Sequence, residues 1–85
     1  MSMEFYDLVD KSNFLGKIDS INIIEKELIL FESKTGILID EYGTTRLYLD
    51  NIKLLYKLIE NKPNEISKIL KTAIDSQIGI LIEGD

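Results

Sequence analysis

The chain has no cysteine, no histidine and no tryptophan, one proline (Pro63) and one arginine (Arg46). Without cysteine there is no disulfide staple and no thiol nucleophile. Without histidine the side chain that titrates nearest neutral pH is gone, and with it the commonest general base. The two losses together remove the usual ligands of zinc. At 85 residues the chain makes one hydrophobic core, and a domain of this size buries only about 60–65% of its unfolded surface. Small domains often need a staple; here packing alone, or self-association, must serve. The chain is also short of long apolar runs. Leu28–Phe31 and Ile78–Ile82 are the longest stretches, with Gly79 inside the second, against the roughly 20 residues of a membrane span. The opening Met-Ser-Met-Glu-Phe has neither the basic flank nor the apolar stretch of a signal peptide. The expectation is a cytoplasmic protein with no membrane partner.

Motifs that would carry catalysis are missing too. Lys34-Thr35-Gly36 lacks the flanking glycine and the residue order of a phosphate-binding loop. No dinucleotide fingerprint, calcium loop or nucleophile elbow is present. Asp40-Glu41 is the only adjacent acid pair, and neighbours in a strand point to opposite faces, so the two do not readily share a proton or a metal. Glu83 and Asp85 lie at the end of the chain, a poor place for a fixed site. The chain therefore reads as a non-enzyme, with no catalytic residues, no cofactor and no metal.

What is present is aliphatic residues and acid. Isoleucine and leucine fill 27 of 85 positions, spread along the whole chain, so the core draws on every segment. The net charge is −5 and unevenly placed. Residues 1–50 carry ten acids against five bases, whereas 51–72 carry five lysines against Glu60 and Glu65. Scarce arginine beside abundant isoleucine, lysine and asparagine hints at an AT-rich genome, bacterial or phage.

No linker, repeat or low-complexity stretch divides the chain, which reads as a single domain over 1–85. Ser2 is placed to cap a short helix carrying Phe5, Leu8 and Val9 at i, i+3, i+4, and Gly16 to reorient the chain after Phe14 and Leu15. Strands are expected next: Ile18, Ile21, Ile23 and Ile24 in one, Leu28–Phe31 in a second and Ile37–Ile39 in a third, with Gly36 at a hairpin turn. Gly43-Thr44-Thr45 then leads to a fourth strand, Arg46–Leu49. Asp50 is a candidate N-cap for a helix with Ile52, Leu55, Tyr56 and Ile59 at i, i+3, i+4, i+7. Leu54 and Leu58 widen its apolar arc to roughly 200°, which either a second helix or a partner chain must cover. Pro63 or Asn64 opens another helix, with Ile66, Ile69, Leu70, Ala73 and Ile74 in one stripe. Ile78–Ile82, apolar on both faces, suits an interior strand. The fold class is α+β: an antiparallel β-meander of about four strands, two helices and a C-terminal strand, with the helices on one sheet face. An SH3-like barrel carrying C-terminal helices is the competing architecture.

By elimination the function expected is protein binding. Asp40, Glu41, Tyr42, Tyr48 and Asp50 are the candidate partner-binding residues, because tyrosine suits interfaces and acids suit a basic partner. The expected behaviour is that of a small acidic inhibitor docking on a larger protein's basic surface. Nuclease-toxin immunity proteins and phage-encoded anti-defence inhibitors act in this way, and the analogy rests on size, charge and the missing catalytic set. A homodimer or scaffold subunit, with Leu54 and Leu58 as its oligomer face, is the alternative. Nucleic acid is disfavoured by the net charge, although Lys53, Lys57, Lys62, Lys68 and Lys71 all fall on the helical pair or its junction.

Overall fold

Met3, Phe5 and Asp7 alternate with Glu4 and Tyr6, and the first three are buried while the other two are half-exposed. That two-residue period makes a strand, β1 (Met3–Asp7), where a helix is expected from the spacing of Phe5, Leu8 and Val9. Three apolar positions are too few to define a helical face, and Val9 lies in the open, 92% exposed. In the computed structural model, which describes residues 2–19, 24–60 and 64–84, β1 turns back into β2 (Phe14–Ile18). Gly16 does not end an element. It sits within β2 opposite Phe5, and a Cβ there would come within 2.7 Å of Ile69 Cδ1.

Helix α1 (Glu25–Thr35) follows, then β3 (Thr44–Leu47), α2 (Leu49–Ile59), α3 (Glu65–Ser76) and β4 (Ile80–Gly84). The four strands form one antiparallel sheet in the order β2-β1-β4-β3. This is the α+β class that the sequence indicates, with two helices leading into a C-terminal strand. β4 takes an interior place, between β1 and β3, as its two apolar faces require. Among the described residues β2 and β3 remain free edges, so the sheet is open and the barrel is not formed.

The N-terminal half departs from the expected meander in its details. Leu28–Phe31 lies in α1, and residues 37–39 belong to neither a helix nor a strand. Four consecutive apolar residues fit a strand or a helix equally well. Their neighbours decide: glutamates and lysines on both sides favour helix, Glu25 and Glu27 suit the first turn and Lys34 the last. Gly36 does take positive φ (76°), but as the left-handed C-cap whose N–H donates to the Glu32 carbonyl at 2.7 Å. Only Arg46 and Leu47 of the expected Arg46–Leu49 strand belong to β3; Leu49 opens α2. Ile21, Ile23, Lys62 and Pro63 fall outside the described residues.

The helices stack on one face of the sheet. Met3, Phe5, Leu47, Ile80 and Ile82 point into a core shared with residues of all three helices. A gap inside it, lined by Phe5, Ile24, Leu28, Leu55 and Leu70 among others, measures about 10 Å³. That is about the space of a single water, and an apolar lining keeps such a void dry. The alternate strand residues, among them Tyr6, Lys17, Arg46 and Leu81, face away from the helices and are half-buried or exposed.

Candidate docking surface

Residues 40–43 form a tight turn ahead of β3. Asp40 Oδ1 accepts from the Tyr42 N–H at 2.8 Å, and the Gly43 N–H reaches the Asp40 carbonyl at 3.4 Å. The buried Thr45 accepts from the Asp40 N–H through its hydroxyl, also at 3.4 Å, tying the turn to β3. From below, the Gly84 N–H donates to the Gly43 carbonyl at 2.7 Å. No other residue fits at position 84, because a Cβ would collide with the Glu41 carbonyl. The turn is therefore fixed on both sides, and Tyr42 projects from it 66% exposed.

At the other end of β3 the backbone of Tyr48 is extended and caps α2, a place expected for Asp50. Asn51 explains the shift. Its Oδ1 turns back to accept from the Tyr48 N–H at 3.4 Å, so the helix starts two residues earlier than Asp50 as cap would allow. Asp50 then falls in the first turn, where its charge complements the helix dipole. Tyr48 is 63% exposed. The five candidates thus form two groups, Asp40–Glu41–Tyr42 and Tyr48–Asp50, at opposite ends of a free edge strand. Four residues of strand put them roughly 13 Å apart. They border one surface without making one spot.

The sequence reading missed the ground beside this turn. On α1, Glu25, Ile29 and Glu32 recur at i, i+4, i+7 and so share one face. Ile29 is 62% exposed, and Leu38, from the stretch after Gly36, is 64% exposed. Together with Leu28 and Ile39 these residues line a groove of about 160 Å³ that, among the described residues, no cation lines. The available signal was the very feature that disguised α1: apolar residues outside its core-facing stripe.

The remaining candidates fall elsewhere. Leu54 and Leu58 are half-buried and pack against the core. α2 contacts both α1 and α3, which cover part of its wide apolar arc within the chain. On α3, Lys68 is 3.6 Å from Glu65, and Lys71 is 3.3 Å from Asp75. The helix-free sheet face carries a separate polar cluster. Lys11 Nζ contacts Glu83 at 2.6 Å and lies over the Tyr6 ring, which meets Phe14 edge-on at 5.5 Å. The bond to Glu83, and then its charge, raises the Lys11 pKa. Partial desolvation, followed by the charges of Glu4 and Glu83, raises that of Tyr6.

Among the described residues no three acids converge as metal ligands would, and no helix is long and apolar enough to cross a membrane. The chain matches no known protein family, and comparison with curated proteins and with solved structures finds no match.

Proposed function

We propose that this chain is a non-catalytic protein-binding module that sets its acidic side against a basic surface of a larger protein, as an inhibitor or antagonist. The observation that carries the reading is the setting of β3. A free edge strand is bracketed by two exposed tyrosines, with Asp40 and Glu41 at one end and Asp50 at the other. Tyrosine contributes contact area with little entropy loss and tolerates water at its hydroxyl. Carboxylates around it steer a cationic partner and speed encounter, most at low salt. Antagonism of the immunity-protein or phage anti-defence kind needs no more than such a surface on a stable small domain. Leu54 and Leu58 are half-buried against the core and offer less open surface to a second copy than the exposed Tyr42 and Tyr48 offer to a partner, which favours this reading over self-association.

The test is capture of a partner from cells that make the protein, followed by association kinetics. The informative variant is Asp40→Asn with Glu41→Gln and Asp50→Asn. Asparagine keeps the acceptor that holds the Tyr42 N–H, so the charge is lost and the turn is kept. Association with the captured partner should slow about tenfold at low salt, and the difference should vanish at high salt. An unchanged association rate at low salt removes the electrostatic reading.

A further inference from the structure

We infer that the groove between α1 and residues 38–39 is the anchor pocket of this surface, and that its occupant is an amphipathic helix of a partner protein presenting an apolar side chain between two basic ones. The inference rests on the protein-binding reading above and names the chemistry of the partner.

Three observations converge on it. The floor is apolar and open: Ile29 and Leu38 are each nearly two-thirds exposed, although a small domain gains by burying such residues. The volume, about 160 Å³, is below that of small-molecule pockets, which hold roughly 300 Å³ or more. It has room for one bulky side chain, as an anchor residue in a protein interface needs. The rim is acidic at both ends, with Glu25 and Glu32 exposed seven residues apart on one helix face. Seven residues of helix span roughly 10.5 Å. A facing helix with lysine or arginine at the same separation, and leucine between them, matches charge to charge across the apolar contact. Ile39, which lines the groove, immediately precedes Asp40 of the turn, so groove and acidic turn are neighbours along the chain.

The rim and the floor also divide the work. The glutamates steer and orient the partner, while Ile29 and Leu38 supply the desolvated contact that slows its release. Loss of the floor should therefore act on dissociation, and loss of the rim on association and salt dependence.

The probe is a synthetic helical peptide of about 14 residues with lysines seven apart flanking two leucines, a spacing matched to two helical turns. Two control peptides replace either the lysines by glutamate or the leucines by serine. Fluorescence anisotropy at low salt should show the probe binding at least tenfold more tightly than either control. Ile29→Ala with Leu38→Ala should weaken it about tenfold, and Glu25→Gln with Glu32→Gln about fivefold with loss of salt dependence. All four positions are exposed, so unchanged circular-dichroism melts verify that the variants fold. Equal binding of the serine peptide, or probe affinity indifferent to Ile29→Ala with Leu38→Ala, overturns the groove. Probe binding that responds to the Asp40, Glu41 and Asp50 triple variant but not to the groove variants rejects the groove and leaves the acidic docking surface standing. A wild-type chain that is dimeric by sedimentation, and monomeric once Ile29 and Leu38 are truncated, assigns the groove to a second copy and overturns the partner proposed.

Discussion

Helices α1 and α3 have nearly the same length, 11 and 12 residues, and were shaped by different demands. α3 buries Ile66, Ile69, Leu70 and Ala73 along one stripe. Asn64 caps it by accepting from the N–H groups of Ile66 and Ser67 at 2.8 and 3.1 Å, and the polar face pairs lysine with acid. α1 buries Phe31 alone, has no side-chain cap, and leaves Ile29 and Leu30 in solvent. In α3 the cap, the apolar stripe and the charge pairs all agree with a helix packed on the core. In α1 propensity and dipole agree with a helix while the apolar pattern does not, and disagreement of that kind marks surfaces kept for something other than folding.

Truncation of one aliphatic residue in each helix tests this contrast hardest. Leu70→Ala opens a cavity in a fully buried site and should cost about 3 kcal/mol in denaturant unfolding. Ile29→Ala should move stability by less than about 0.5 kcal/mol. A loss at Ile29 comparable with that at Leu70 would mean that α1 is held by the residues assigned here to binding.

The sheet's open face sharpens the comparison with a smaller effect. The folded chain raises the pKa of both Lys11 and Tyr6. Their contributions are complete below their ordinary values, near pH 10, and are lost as pH rises through the folded values. The melting midpoint should therefore decline from about pH 9 to pH 11, and Lys11→Met or Glu83→Gln should flatten that decline. The effect is modest because the pair is solvated. An equal alkaline slope in Lys11→Met would place its origin elsewhere.

What could be read in advance follows the same division. α2 and α3 were legible because their apolar residues recur at one period, and β4 because an apolar run such as Ile80–Ile82, close after a helix, suits an interior strand. The cap at Asn64 and the positive φ at Gly36 were legible as local chemistry. α1 was not, since Leu28–Phe31 hides its period behind two apolar residues that face water. Nor was β1, where five residues show alternation only once their burial is seen. Pairing of β1 with β4, some 75 residues apart, has no local signal at all. At the candidate surface the structure leaves Tyr42 and Tyr48 exposed, but the sequence placed Asp50 as the cap and was silent on Glu25, Ile29, Glu32 and Leu38.

The most direct measurement is a titration of the isotopically labelled protein with the lysine–leucine probe peptide, followed residue by residue in amide NMR spectra. Shifts concentrated at Glu25–Glu32 and at residues 38–42, fading as salt is added, are the result this account predicts. Shifts centred instead on α3 or on the helix-free sheet face around Tyr6 and Leu81 would contradict it.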